Sequence, residues 1–165
     1  MVICSLLSVL FLAFICDIQN TMGHRLPRNL KNVAYGKFAR QSSTYHHIPA
    51  SYAVNGVFTD FTHTKLEKNP WIRIDLGRNY TVHEVEVFNR RDCCPERLHD
   101  VDIRVGNDLH AMHLCGHFTG PSTRGGERIA VFCPYNTFGR YVEIQIVEGW
   151  NNYLSVAEVI VWGRL

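Results

Sequence analysis

Several features that mark common protein classes are missing from this sequence. Its charges nearly balance, with 17 Lys and Arg against 15 Asp and Glu in 165 residues, so charge does not indicate nucleic-acid binding. There is no Gly-x-Ser-x-Gly, no His-Glu-x-x-His and no Gly-rich phosphate loop, and we therefore expect no enzyme. No window of about 12 residues carries a helical apolar stripe. The length suits one domain, and the 46% apolar content excludes a disordered chain.

The one long apolar run lies at the N-terminus. Val2–Ile15 is apolar apart from two serines, and Asp17 ends the run. Thr21 and Gly23 offer small residues for cleavage, so residues 1–23 are predicted to be a signal peptide, with an uncleaved signal anchor as the alternative. The sequence thus predicts a secreted, extracellular protein without membrane insertion.

The cysteine pattern follows from that interpretation. Cys4 and Cys16 lie in the leader, so four of the six cysteines remain in the mature chain. An even number in a secreted protein predicts disulfides, and four cysteines allow three pairings among which the sequence does not choose. Asn79 begins an Asn-Tyr-Thr sequon, which predicts N-glycosylation of a surface turn.

Apolar residues alternate with polar ones along most of the mature chain. This period of two predicts half-buried strands, separated by turns rich in glycine, asparagine and proline. The predicted strands are centred on Ile72–Leu76, Val85–Val87, Val101–Val105, Val142–Ile146 and Val159–Val161. The pattern predicts an all-β fold, an antiparallel β-sandwich of jelly-roll type.

One histidine-rich stretch raises the question of a metal. His110, His113, Cys115 and His117 fall within eight residues, and zinc accepts imidazole and thiolate ligands. Secretion instead favours Cys115 in a disulfide, because free thiols are uncommon outside the cell. We therefore interpret the stretch as a polar loop between strands.

A dense polar cluster runs from Asn89 to Arg97, directly after a predicted strand. Its three arginines repel one another unless Asp92, Glu96 or a ligand compensates them. Its adjacent Cys93 and Cys94 are unusual, because neighbouring Cα atoms lie about 3.8 Å apart and disulfides normally need about 4.4–6.8 Å. Geometry alone therefore predicts that each bonds elsewhere, or that they bond to each other with strain.

The spacing of this cluster resembles the F-type lectins, the fucolectin family. His63 is followed by 26 residues, then Arg90-Arg91-Asp92, then four residues and Arg97, with the Cys-Cys pair inside the motif. Segments 69–76 and 139–142 look like core signatures shared with discoidin-type and galactose-binding-like jelly rolls. The resemblance covers a predicted lectin domain at 32–165, after a signal peptide and a short lead at 24–31.

The resemblance implies a site for terminal L-fucose. His63 would meet the axial 4-hydroxyl, and Arg90 and Arg97 would donate to the ring oxygen and neighbouring hydroxyls. Asp92 would orient the guanidinium groups. The resemblance also implies Cys93–Cys94 and Cys115–Cys133 disulfides, the first presenting a flat surface to an apolar edge of the sugar. The contacts nearest the sugar methyl group are assigned to Tyr45 and His46.

A structural calcium ion is the cofactor that the resemblance implies. Calcium takes 6–8 oxygen ligands, including backbone carbonyls. The expected ligands are the side chains of Asn55, Asp60 and Glu158 and the carbonyl oxygens of Tyr52, Val57 and Ala157. The family commonly joins the positions of Phe61 and Ala157 by a disulfide, and both cysteines are absent here.

The function implied is a secreted, calcium-containing lectin that recognises fucosylated cell surfaces, in innate immunity or cell adhesion. Its partners would be fucosylated glycans, with no nucleic acid, and a homo-oligomer would raise avidity. The alternative is a discoidin-type module that binds protein or phospholipid through apolar loop tips. A carbohydrate-binding module cut from a glycosidase is a further alternative.

Overall fold

The computed structural model describes residues 29–165. The predicted leader at 1–23, its two cysteines and most of the lead at 24–31 lie outside the described residues. Within 29–165, no helix is long and apolar enough to cross a membrane. The described elements are β1 (Lys31–Asn32), β2 (Phe38–Gln41), a 3₁₀ helix (Ala50–Val54), β3 (Trp71–Asn89), a 3₁₀ helix (Pro95–Arg97), β4 (Val101–Gly106), β5 (His113–Phe118), β6 (Arg128–Phe132), β7 (Phe138–Ile146) and β8 (Val156–Arg164).

The long strand β3 organises the fold. Its first half pairs with β2 and β7, and its second half pairs with β6 and β8, all antiparallel. Pairing with β2 ends at Asp75 and pairing with β8 begins at Thr81, on either side of an irregularity in the β7 pairing where Gly77 adopts a φ of 84° that favours glycine. One strand thus belongs to both layers, and the predicted all-β jelly-roll sandwich is confirmed.

The core consists of the inward-facing residues of these strands. Ile72, Ile74 and Leu76 on β3 are fully buried, as are Ile144 on β7 and Ile103 on β4. Branched aliphatic residues pack well on pleated surfaces, and each buried side chain contributes about 1.5–3 kcal/mol. The alternation in the sequence therefore marks the inner face correctly.

The structure corrects some of the strand boundaries. The predicted strands around residues 72–76 and 85–87 are parts of β3, because the glycine between them bends the strand without ending it. The histidine-rich stretch is not a loop from His113 onward, since His113–Phe118 forms β5 beside β4. Strands β2 and β6 carry weaker alternation and were not predicted.

Four chain segments meet at one end of the sandwich. Residues 62 and 64 pair with the segment before β8, through Thr62 N to Val156 O at 2.8 Å and Thr64 N to Leu154 O at 3.1 Å. The loop after β3 is tied to the turn before β6, since Gly126 N donates to the Arg90 carbonyl at 3.0 Å. This loop end contains the predicted binding residues.

Candidate functional site

His63 lies in the middle of the loop end with its side chain almost buried. Its relative exposure is 6%, and its Nδ1 lies 2.6 Å from the carbonyl oxygen of Thr64. A carbonyl accepts only, so Nδ1 carries the hydrogen and Nε2 of the neutral ring keeps its lone pair. Within the described chain Nε2 makes no hydrogen bond and is not a buried unpaired atom, so it is open to a ligand.

The surroundings of His63 keep its ring neutral. Burial lowers the pKa of His63 below its ordinary value of 6.5, and the positive charges of Arg90 and Arg97 lower it further. The hydrogen bond to the Thr64 carbonyl acts in the opposite direction but does not reverse the effect. At neutral pH the loop end therefore offers an imidazole acceptor beside two guanidinium donors.

Arg90 is held in one orientation by an anion and an aromatic ring. Its Nε and Nη2 atoms donate to the two carboxylate oxygens of Asp92, each at 2.7 Å. Its guanidinium carbon lies 3.9 Å from the ring centre of Phe61. The hydrogen bonds from Arg90 lower the pKa of Asp92 to about 2. The predicted orienting role of Asp92 thus matches its contact with Arg90, and Nη1 of Arg90 stays unengaged.

Arg97 ends the short helix Pro95–Arg97, with its guanidinium carbon 4.8 Å from the ring centre of Tyr153. Among the ion pairs of residues 29–165, none includes Arg97. An arginine without a carboxylate keeps its donors for a ligand. Arg97 therefore keeps more guanidinium donors for a ligand than Arg90, which gives two nitrogens to Asp92.

Three aromatic rings surround His63, and the two arginines stack on two of these rings. The ring centres of Tyr45, Tyr153 and Phe61 lie 4.7, 5.4 and 6.3 Å from that of His63. Phe61 and Tyr153 are the rings on which the two arginines stack. Sequence reasoning did not assign Tyr153 any role and considered Phe61 only as a replaced cysteine. Neither residue lies within the spaced motif, so the motif offered no signal for them.

The segment before the first 3₁₀ helix places the Tyr45 ring against His63, whereas the His46 ring packs on the Tyr45 ring. Tyr45 N donates to the His63 carbonyl at 3.0 Å, whereas the His46 ring packs edge-on against Tyr45 at 4.2 Å. His46 has a φ of 44°, a conformation that few non-glycine residues adopt. The structure thus places Tyr45 against His63 and His46 at the rim.

Asn89 is a further positioning residue that sequence reasoning missed. Its buried side chain donates to the Pro95 carbonyl and to Ser122 Oγ, both at 2.9 Å. Ser122 in turn donates to Glu127 Oε2 at 2.6 Å. This chain of hydrogen bonds connects the helix that carries Arg97 to the end of β3 and to the turn before β6.

The structure joins Cys93 to Cys94 and Cys115 to Cys133. Cys94 lies in the left-handed region with a φ of 57°, and Cys93 is exposed. The two adjacent cysteines therefore do not bond elsewhere, and the disulfide that the family resemblance implies is present. The bond to Cys133 removes Cys115 from the zinc set, and within 29–165 no three His, Cys, Asp or Glu side chains form a metal-holding cluster.

Beside the loop end, the buried Glu158 and the partly buried Asp60 interact electrostatically, and no ion pair of residues 29–165 includes either carboxylate. Asp60 Oδ1 and Glu158 Oε1 are buried and make no hydrogen bond. Burial raises the pKa of Glu158 to about 7, and the charge of Asp60 contributes to that rise. The turn at Asn55 and Gly56 holds both groups, since Asn55 Nδ2 donates to Asp60 Oδ2 at 2.9 Å and Gly56 N donates to Glu158 Oε2 at 3.1 Å.

The backbone around this acidic pair also offers oxygens. β8 slips by one residue against β3 at Ala157, between the Glu158 and Val156 pairings, and a bulged residue leaves its carbonyl outside the ladder. Tyr52 is exposed in the 3₁₀ helix Ala50–Val54 and Val57 in the segment after it, and Val57 N donates to Asn55 Oδ1 at 2.8 Å. The expected calcium ligands thus fall in two segments, residues 52–60 and the bulge at Ala157 and Glu158. Asn79, the predicted glycosylation residue, lies elsewhere, on an exposed stretch of β3.

Comparisons with known proteins identify the family to which the chain belongs. The family model for the NedA-like, galactose-binding domain matches residues 52–144. The fucolectin of Anguilla anguilla is 31% identical over 128 residues, which are 75% of this chain and 80% of the relative.

Solved structures give the same picture. An f-lectin from striped bass serum (Morone saxatilis) has a TM-score of 0.75 at 35% identity, covering 82% of this chain and 49% of that one. The lectin domain of lectinolysin, complexed with Lewis B antigen, has a TM-score of 0.73 at 34% identity and covers 82% of this chain and 98% of that one. The chain thus spans about half of the striped bass protein and nearly all of the lectinolysin domain. With the matching spacing and the site geometry, these likenesses show that the chain belongs to the F-type lectin, or fucolectin, family.

Proposed function

We propose that this protein is a lectin that binds terminal L-fucose at the loop end. The observation that carries the proposal is the meeting of His63, Arg90 and Arg97 with polar atoms left free for a ligand. The identity of the relatives, a fucolectin and an f-lectin, supports it. A sugar needs both acceptors and donors, and this cluster supplies both in fixed orientations.

Each residue then has a defined part in binding. His63 Nε2 accepts the hydrogen of the axial 4-hydroxyl, because its Nδ1 is already committed to Thr64. Arg90 Nη1 and the Arg97 guanidinium donate to the ring oxygen and neighbouring hydroxyls. A sugar with an equatorial 4-hydroxyl leaves these groups unpaired, and each lost charged hydrogen bond costs about 1.5–3 kcal/mol.

The disulfide and the aromatic rings complete the site. The exposed Cys93–Cys94 bond and the ring of Tyr45 offer weakly polar surfaces on which an apolar edge of the sugar can lie. His46 lies behind Tyr45 and contributes at the rim. The methyl group of fucose is thereby distinguished from the hydroxymethyl of a hexose.

A glycan array of the wild type and Arg97→Ala, with and without chelator, tests this proposal. Fucosylated glycans should be retained by the wild type and lost by the variant. Arg78→Ala is the matched control, since Arg78 is an exposed arginine on β3 that is absent from the described ion pairs. Retention of phospholipid vesicles but of no fucosylated glycan would favour the discoidin-type alternative instead.

We also propose calcium as a structural cofactor beside the sugar site. The two orphaned oxygens of Asp60 and Glu158 fit a divalent cation, because such an ion compensates two buried carboxylates that otherwise repel. Asn55, Tyr52, Val57 and the bulged Ala157 would supply the remaining oxygens. The ion would tie the turn at 52–57 to β8 and would not contact the sugar.

Thermal unfolding after chelation tests the calcium proposal separately from sugar binding. Calcium at about 100 times its Kd should add about 2.7 kcal/mol to the free energy of unfolding. Asp60→Asn should abolish that gain, whereas Glu148→Gln at an exposed position should retain it. An unchanged melting temperature on adding calcium to the wild type would refute the site.

Secretion, assembly and biological role extend the same proposal. Residues 1–23 act as the signal peptide, 24–31 as a short lead and 32–165 as the lectin domain. The protein recognises fucosylated cell surfaces in innate immunity or adhesion and carries no catalytic activity. Homo-oligomers would raise avidity by about 10²–10⁴ over a single site, and sedimentation analysis of the secreted protein measures that state.

A further inference from the structure

A second concave surface lies on the outward face of the sheet, away from the residues of the sugar site. It is a groove of about 280 Å³ across β2, β3 and β7, with one residue contributed by the turn after β4. Its lining combines aromatic rings with charges of both signs. The lining residues are Phe38, Arg40, Trp71, Arg73, Asp75, Leu109 and Tyr141.

Two arginines lie directly opposite each other in this groove. Arg40 on β2 is the cross-strand partner of Arg73 on β3, and like charges at such positions destabilise a sheet. Arg73 is compensated by an ion pair with Glu143. Arg40 is not compensated by a carboxylate, and its guanidinium carbon lies 5.2 Å from the centre of the Phe38 ring. No ion pair in residues 29–165 includes it.

The remaining charges of the groove are fixed in place. Asp75 accepts from Arg140 Nε at 2.6 Å and from Arg140 Nη2 at 2.7 Å, so its carboxylate has a set orientation. The Arg73 guanidinium stacks on Trp71, with its central carbon 4.0 Å from the ring centre. The groove therefore contains one uncompensated cation, Arg40, among oriented acceptors and aromatic rings.

This combination selects a class of ligand. A simple inorganic anion gains from Arg40 but makes no use of the rings or of the Asp75 oxygens, whose charge Arg140 compensates. An apolar ligand leaves Arg40 unpaired. A sugar with a carboxylate or sulfate matches all three features, since the anion pairs with Arg40, the hydroxyls donate to Asp75 and the ring lies on aromatic carbon.

The size of the groove points in the same direction. Pockets for drug-sized ligands measure about 300–1,000 Å³, so about 280 Å³ suits a ligand of one sugar ring. We propose that this groove binds an acidic sugar unit, with Arg40 pairing the anionic group and Phe38 packing against the ring. None of its lining residues is a predicted fucose or calcium residue, so the site is independent of the proposed function.

Two-dimensional NMR of the intact secreted protein with D-glucuronic acid as ligand tests the proposal. Shift changes should concentrate on the groove, including the Trp71 indole N–H, and should persist with the sugar site saturated by L-fucose. D-Glucose should bind at least about tenfold more weakly, because it lacks the charged hydrogen bond. Glucose 6-sulfate replaces the carboxylate and distinguishes the two kinds of anion.

Variants separate this site from a general charge effect. Arg40→Gln should weaken glucuronic acid binding by about tenfold or more, and Phe38→Ala should weaken it to a smaller extent. Lys31→Gln removes one positive charge at an exposed position of β1, a strand that pairs with β8 and lines no part of the groove, and should have no effect. Equal binding by Arg40→Gln, equal binding of glucose, or full displacement by inorganic phosphate would each overturn the proposal.

Discussion

Arginines have opposite surroundings on the sheet faces and at the loop end. On the faces, Arg104, Arg128 and Arg140 all donate to carboxylates at 2.6–2.9 Å. At the loop end, Arg90 donates to Asp92 through two of its nitrogens. The Arg97 guanidinium stacks on the Tyr153 ring and is in no ion pair of the described residues 29–165. Arginines that are compensated within the fold stabilise it, whereas arginines that are at least partly buried, stack on an aromatic ring and keep free donors mark where a ligand belongs.

The largest effect that tests this contrast is expected for Arg97→Ala. Losing two charged hydrogen bonds of about 1.5–3 kcal/mol each should reduce L-fucose affinity by about 100-fold or more. The melting temperature should hardly change, because no ion pair is lost. Isothermal titration calorimetry and thermal unfolding measure the two quantities. A stable variant that still binds fucose with wild-type affinity would show that the Arg97 guanidinium does not donate to the sugar.

Glu143→Ala should give the opposite result on the sheet face. Glu143 is buried and pairs with Arg73 and Arg104, so removing it leaves the partly exposed Arg73 uncompensated, while Arg104 keeps Asp102. We expect a loss of about 1–3 kcal/mol in the free energy of unfolding, less than for fully buried pairs. Chemical denaturation measures that loss. A weakened fucose affinity in the folded variant would contradict the separation of the two regions.

Asn89→Ala should show that positioning at the loop end matters as much as contact. Asn89 holds the helix of Arg97 through Pro95 and Ser122 without belonging to the donor set. Its loss should weaken fucose affinity by about tenfold, equivalent to about 1.4 kcal/mol, with a similar loss of stability. Asn89→Asp should recover less than half of the effect, because a carboxylate accepts but does not donate to the Pro95 carbonyl.

The smallest predicted effect is a pH dependence of fucose binding. His63 has a lowered pKa, so its neutral form persists down to below pH 6.5 and affinity should be constant above that value. As pH falls through the lowered pKa, protonation removes the Nε2 acceptor and adds a third positive charge. Affinity should then drop by a few-fold, measured by titration at each pH with circular dichroism to confirm folding. An affinity that rises on acidification would exclude the acceptor role.

Much of the fold could be predicted from the sequence, and less of the site. The alternation from Ile72 to Leu76 identifies the buried face because only one side of such a strand meets the core. It did not show that this segment continues through Gly77 into the same strand. A glycine can bend a strand or end it, and that choice depends on partners that are distant in sequence.

The spacing of His63, Arg90 and Arg97, together with the adjacent cysteines, identified the family by itself. Such a motif can be found without the fold, because the spacing along the chain and the chemistry of each side chain are given by the sequence. The tertiary structure decided which donors stay free. Tyr153 reaches Arg97, and Arg40 faces Arg73, only after strand register brings distant segments together. A period of two leaves that register unspecified, so the aromatic supports of the sugar site and the groove on the sheet arise from packing alone.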